Sequence, residues 1–377
     1  MPAGARDDSR TAGFCFYERK DRNGSRLCRA TADRRLSRKK DQMMENQPSS
    51  PRRINQLRSE ADAAFAMLAG MQLDVFTPLK AGPLDAQQIA DAIGVSPARL
   101  RLLLYCLVAA GLLTEENGRF SNTPEANQFL VKESPSYLGN RHGNLATRWA
   151  ASLKTAESIR TGMAQAKIDF SNSPQSELEK FLRNINATTV AAGRALLEYY
   201  DFSSVQTLAD VGSGGGGLAL TLTKACPQIK ATAIDLPQVV PITEKIVKEE
   251  GAAERVQVLA ANVLSGPLPG SYDAAVLRAF LQVFSAADAR QAVKNVGAAL
   301  NPGGRIFIIG QILDDSRIFP LEAVGFNLAF INMLEAGESH TEGEHREWLS
   351  EAGFIDIERA NFWLEGSGLM TARKRPQ

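Results

Sequence analysis

The stretch LADVGSGGGG, residues 208–217, constrains this chain more than any other. An apolar segment of strand character runs into a cluster of glycines and then into a helix-forming segment, GLALTLTKA. Gly212, Gly214 and Gly216 let the backbone turn tightly and approach a bound molecule closely. From Leu208 onward, short apolar runs alternate with helical stretches. TLADVG, KATAID, VQVLAAN, YDAAVLRA and GRIFIIG read as strands, and the gaps between them as helices. That alternation predicts an α/β domain with a doubly wound parallel sheet. IDIERANFWLEGSGLMTARK reads as two further strands around Gly366 and Gly368, an antiparallel closing hairpin.

Upstream the character changes. Residues 54–110 have apolar residues at helical spacing, with a stop near Pro78 and a turn at Gly94. Ser96-Pro97 starts a longer helix that ends at Gly111. LLTEENGRFSNT then reads as a small hairpin turning at Asn117-Gly118. Helix, turn, helix and hairpin make a winged helix, which raises a DNA-binding regulator as one reading. The recognition-helix position carries only Arg99 and Arg101 near its start, and Leu, Val and Ala nearly all round beyond them. Burial against a second subunit suits that helix better than a phosphate backbone. Residues 125–200 are again mostly helical, broken at DFSNSPQSE, with Pro174 at a helix start.

Composition enters as a set of exclusions. The net charge of +1 over 377 residues provides no global field for nucleic acid or an anionic membrane. Residues 1–43 are skewed, with twelve Lys or Arg against six Asp or Glu and little apolar periodicity. They are expected to be a disordered leader, or a start placed upstream of Met43 and Met44. No apolar run reaches the eighteen residues of a membrane span. Cys15, Cys28, Cys106 and Cys226 are scattered, and His142, His340 and His345 form no metal set, so no metal and a cytoplasmic setting are expected.

Three features sharpen the glycine loop. Asp210 stands two residues before the first glycine, where nicotinamide-binding loops usually carry an apolar residue. A ligand bearing an ammonium and a sulfonium gives such a carboxylate a role. Asp235 ends the next strand in ATAIDLP, where it can accept ribose hydroxyls. ALNPGGR precedes another strand, where methyltransferase sheets have a Pro-Gly-Gly turn. With YYDFSSVQTLADVGSGGG, AIDLPQVV, NPGGRIFII and TEGEHREWLSEAGF in this order, residues 55–374 resemble the small-molecule O-methyltransferases of the caffeate, hydroxyindole and phenazine type.

The resemblance implies a Rossmann-like class I methyltransferase sheet behind a mostly helical, winged-helix dimerisation domain. The expected division is a leader at 1–43, a dimerisation and substrate-lid domain at 44–180, and an S-adenosylmethionine-binding domain at 181–377. It implies a homodimer and a small-molecule substrate, with no membrane or nucleic-acid partner. By position, Asp210, Gly212 and Gly214 would hold the cofactor's methionine end, and Asp235 and Leu236 the ribose side. Asn262 stands where the family has an Asp at the adenine amino group, Val263 would pack on the ring, and Arg278 stands where many members have Lys.

The same resemblance fails at the catalytic positions. Where plant-type members read Leu-His-Asp-Trp, this chain reads FLQVFS, with Gln282 in place of the histidine. The two orienting glutamates fall at Gly310 and near Ser339. Neither Gln nor Gly takes a proton at neutral pH, which leaves an acceptor with no proton, one already ionised, an activated carbon or nitrogen, or cofactor binding without transfer; base-free S-methylation of a thioether acid is the favoured expectation. The similarity extends to the S-methyltransferases of dimethylsulfoniopropionate synthesis, which act on 4-methylthio-2-hydroxybutyrate. O- or N-methylation of an aromatic metabolite is the alternative. Candidates to hold an anionic acceptor are Tyr137, Arg141, His142, Trp149, Phe181, Arg183, Asn186, Gln282, Asn327 and Met333. Each has a plain structural alternative: solvated helix charge for Arg141 and Arg183, core packing for Trp149 and Phe181. His340 falls near the pocket rim, and His345 beside it points to an exposed helix start.

Overall fold

The computed structural model describes residues 50–134, 136–138, 142–167, 173–364 and 367–376, with the side chains of His142 and residues 361–364 left aside. The expected leader at 1–43 lies outside them. The chain forms two compact units, residues 1–67 and 68–377. Of the first, the described part is helical, the start of α1 (Arg52–Leu73).

The second unit opens on a winged helix. β1 (Leu84–Asp85) leads into α2 (Ala86–Ile93), whose Asp85 and Gln88 form a reciprocal cap. α3 (Pro97–Ala109) follows, then β2 (Leu113–Glu116) and β3 (Arg119–Asn122), in a sheet of order β1-β3-β2. Asn117 and Gly118 have φ of 52° and 79°, the left-handed pair that a two-residue hairpin needs. α3 buries Leu100, Leu104 and Leu107 on one stripe but leaves Leu102 and Tyr105 exposed. Its apolar character is therefore only half used within the chain.

Helices α4 (Pro124–Phe129), α5 (His142–Ser152), α6 (Thr155–Thr161) and α7 (Gln175–Tyr199) lead to the main sheet. It contains β4 (Thr207–Val211), β5 (Lys230–Asp235), β6 (Val256–Ala260), β7 (Tyr272–Arg278) and β8 (Leu300–Gly310), all parallel. Between them run α8 (Gly217–Ala225), α9 (Val240–Glu249) and α10 (Ala286–Ala298). After β8 come β9 (Ile312–Leu313), α11 (Leu321–Met333), β10 (His340–Thr341) and α12 (Glu342–Glu351). β11 (Phe354–Leu364) and β12 (Ser367–Lys374) close the sheet antiparallel, in the order β11-β12-β8-β7-β4-β5-β6.

The central strands are apolar on both faces because both faces are covered. Ala209, Val211, Ala275, Leu277, Ile306 and Ile308 point towards α10 and α12, in one core with Val293, Trp348 and Leu349. Leu208, Ala274, Val276, Phe307 and Ile309 alternate to the other side, with Leu196, Leu218 and Leu222. Pro302-Gly303-Gly304 lies inside β8 as an irregularity rather than before the strand: the register shifts between Tyr272 and Ala274, and Gly303 takes φ 80°. The chain order reverses between β4 and β7, so the loops after these strands open a crevice at the sheet's carboxyl edge.

Candidate active site

The glycine loop after β4 lies at that edge. Gly212, Gly214 and Gly216 have φ of 69°, 53° and 73°. A Cβ on Gly212 would also lie 2.2 Å from the Phe280 ring, so two separate constraints demand glycine there. Asp235 at the end of β5 pins the loop: Gly214 N–H donates to its Oδ2 at 2.8 Å and Leu236 N–H to its Oδ1 at 2.7 Å. Each carboxylate oxygen keeps a further acceptor site. Burial pushes the Asp235 carboxyl up, against these two bonds.

Asp210 lies deeper. Its Oδ2 accepts from Ala219 N–H in the first turn of α8 at 3.0 Å, and the residue is 2% exposed. Burial pushes its pKa up to about 7; the Asp235 charge adds to this, while the Ala219 N–H and Arg278 oppose it. Asn186 of α7 reaches over the loop, with its Oδ1 against Gly217 and Gly215. That oxygen and the Ser213 hydroxyl are buried without a partner. Two unmatched polar atoms against a left-handed glycine loop suit the amino-acid end of S-adenosylmethionine, with donors and acceptors for its carboxylate and ammonium. Asn186, expected among the acceptor residues, is brought to the glycine loop.

After β6, exposed Asn262, expected near the adenine, caps a short 3-10 turn, its Oδ1 accepting from Leu264 N–H at 3.0 Å. Val263 is 4% exposed and belongs to the core beneath α10. It offers little face for a ring; the half-exposed Leu236 beside Asp235 offers more.

The catalytic corner follows β7. Ala279 holds φ 52°, a conformation that costs a residue with a side chain, and swings Phe280 over Gly212. Gln282 is buried, and its Oε1 accepts from Gln311 N–H at 2.8 Å. A Cβ on Gly310 would lie 2.6 Å from that oxygen, so the carboxamide fills the room beside Gly310. Ser339 is bound at its N–H by Asn327 Oδ1 (2.8 Å), and its hydroxyl donates to Ala323. The three positions hold an amide, no side chain and a hydroxyl.

Two imidazoles lie close by, and the expected exposed helix start is corrected: His340 is 1% and His345 3% exposed. His340 meets the Trp348 ring of α12 edge-on and His345, on the same helix, meets it at a tilt, which removes both from solvent. His340 Nε2–H donates to Leu281 O at 3.2 Å, which leaves Nδ1 with the lone pair and no partner. Glu338 stands 4.0 Å from Nδ1, beyond hydrogen-bond reach. Burial pulls His340 down and His345 down to about 4, so both are neutral at pH 7. With Gln282 and Gln311 they line a cavity of about 10 Å³, room for about one water.

The remaining acceptor candidates are scattered. Arg183 is exposed and paired with Glu179 and Glu249, so solvated helix charge describes it better than a clamp. Phe181 packs on Leu178, Leu182 and Val239. Tyr137 lies beside the Lys132–Asp74 pair in the winged-helix region. Trp149 and Met333 are half-buried on α5 and α11. Arg141 and the His142 side chain lie outside the described residues. One residue that the sequence reading passed over is Arg148, a half-buried cation in the otherwise weakly charged helix α5; its 3.6-residue phase alone hid it. Among the described residues no group of His, Cys, Asp or Glu is disposed to hold a metal, and no single helix is long and apolar enough to cross a membrane.

Comparison with known proteins agrees with this geometry. An O-methyltransferase domain profile matches residues 160–355, and an O-methyltransferase dimerisation domain matches residues 61–132. The chain is 27% identical over 318 residues to a 3-hydroxy-5-methyl-1-naphthoate 3-O-methyltransferase of Streptomyces sahachiroi, covering 81% of this chain and 90% of that one. It is 29% identical to the mouse acetylserotonin O-methyltransferase, over 78% of this chain and 80% of the other. The crystal structure of human N-acetylserotonin methyltransferase in complex with S-adenosylmethionine shares the fold, with a TM-score of 0.71 at 22% identity, covering 88% of this chain and 99% of that one. The chain belongs to the O-methyltransferase family and is an S-adenosylmethionine-dependent methyltransferase.

Proposed function

We propose that this enzyme methylates a small molecule whose accepting atom has no proton to lose, a thioether acid such as 4-methylthio-2-hydroxybutyrate, the reaction used in dimethylsulfoniopropionate synthesis. Gln282 carries this reading: a buried carboxamide, tied to Gln311 N–H, fills the position from which a general base would act. General-base catalysis typically contributes about 10²–10⁴-fold, which a phenol acceptor would forgo here.

S-adenosylmethionine supplies a methyl group on a cationic sulfur. The protein's own part is to hold and align. The glycine loop, Asn186 and Ser213 would hold the amino-acid end, and the open acceptor sites of Asp235 would take the ribose hydroxyls. A lone pair on the acceptor sulfur forms the new S–C bond as the old one breaks. The positive charge passes from one sulfur to the other, and no proton leaves. Alignment and exclusion of water supply up to about 7–11 kcal/mol in favourable cases.

A second reading has its own support. The relatives above are named for O-methylation of a hydroxynaphthoate and of acetylserotonin. An acidic phenol that binds already ionised also needs no base.

The test is methyl transfer from isotopically labelled S-adenosylmethionine to methylthio-hydroxybutyrate, methionine, catechols, phenols and simple amines. Label in a sulfonium product supports the thioether reading. Label in an aryl ether or an N-methyl product removes it in favour of the second.

A further inference from the structure

One half-buried cation in the helical region before the main sheet meets no carboxylate among the described residues. Arg148 lies half-buried on α5, its guanidinium carbon 4.9 Å from the ring centre of Phe326 on α11. Arg183, Arg290, Arg317, Arg346, Arg359 and Arg373 each face a carboxylate, whereas Arg148, like Arg305 over Tyr200, meets an aromatic ring instead. Among the described residues the Arg148 guanidinium meets neither a carboxylate nor a hydrogen-bond acceptor. Burial pulls its pKa down with no opposing charge. Stacking on an aromatic ring uses the face of the guanidinium and leaves its in-plane N–H donors available. A desolvated charge with open donors is costly to keep unless something completes it.

Its location connects it to the catalytic corner. Phe326 precedes Asn327, which holds Ser339 N–H. Ser339 precedes His340, and the His340 ring donates to the carbonyl of Leu281, next to Gln282. The helix that Arg148 stacks on is thus the one that ties down the segment leading to His340 and Leu281.

We propose that Arg148 binds the carboxylate of the acceptor through its in-plane N–H groups and so selects carboxylated small molecules. This rests on the proposed methyl transfer to a small acid but not on sulfur being the accepting atom. The guanidinium fork matches a carboxylate in two parallel hydrogen bonds, with Phe326 holding the plane in place.

The test compares the full chain with Arg148→Met and Arg148→Lys on two matched pairs: methylthio-hydroxybutyrate with its methyl ester, and a hydroxynaphthoate with the corresponding naphthol. Losing a charge-assisted pair weakens binding by about 10–100-fold. Arg148→Met is expected to raise KM for the acid by that factor, with kcat and the uncharged member nearly unchanged, and Arg148→Lys to recover part of the loss. Should only the naphthoate pair turn over, the thioether reading falls and this pair still decides the role of Arg148. Should neither acid turn over, calorimetric binding of the acids to the S-adenosylhomocysteine complex decides it. Equal loss on both members of a pair, no loss at all, or acids that fail to bind the wild-type complex would overturn the proposal. A fall in oligomeric state with equal losses would make Arg148 an interface residue instead.

Discussion

Gly212 joins two demands in one position. Its φ of 69° lies where L-residues are strained, and its missing side chain leaves room for the Phe280 ring. Gly212→Ala is expected to weaken S-adenosylhomocysteine binding by about 10–100-fold, the cost of strain plus a displaced ring. Isothermal calorimetry on a variant with an unchanged far-UV spectrum measures this. Asp210 adds a pH dependence. Its carboxyl titrates near 7 in the free protein, and a bound ammonium would favour the ionised form. Cofactor affinity is then expected to rise as pH increases from 6 to 8, by up to about tenfold. Asp210→Asn should flatten that profile; an unchanged slope would mean that another group is titrating.

At the scale of elements, α12 and the strand before it form an acid-sensitive unit. His345 has its folded pKa depressed from 6.5 to about 4 by burial, so the folded state resists protonation that the unfolded chain accepts. Stability from this group is fully present above pH 6.5 and is lost as pH falls towards 4, by about 3 kcal/mol. Asp210, with a raised folded pKa, acts in the opposite direction: its ionisation destabilises the fold as pH rises from about 4 to 7. Urea melts between pH 4.5 and 7 should therefore show a steeper acid loss in Asp210→Asn and a shallower one in His345→Gln. The burial of these imidazoles was not legible in the sequence. His345 beside His340 reads as an exposed helix start, and the packing of Trp348 from the same helix shows otherwise. The strands, the glycine loop and the Asn117-Gly118 turn were legible because periodicity and backbone conformation are local. Asn186 over the loop, strained Ala279 and stacked Arg148 were not, because each depends on a partner far along the chain.

For the whole molecule, the dimerisation domain points to a second copy, and the fold shows where apolar surface awaits it. Leu102 and Tyr105 on α3 are 63% and 45% exposed, beside a buried stripe of the same helix. An apolar outer face suits a protein partner rather than DNA phosphates. Light scattering on a sizing column is expected to give twice the chain mass, and Leu102→Glu with Tyr105→Glu to shift it towards one. A wild-type monomer would leave that face unexplained.

The fit between Gln282 and Gly310 also bears on how a base could be restored. A side chain arriving at 310 meets the tip of the Gln282 carboxamide at 2.6 Å and turns it aside. A histidine arriving first at 282 finds no carboxylate to orient it and leaves the Gln311 N–H bare. Restoring a base here therefore calls for two changes, a histidine at 282 and a carboxylate at 310, and Gln282→His alone is expected to leave phenol methylation no faster than in the wild type.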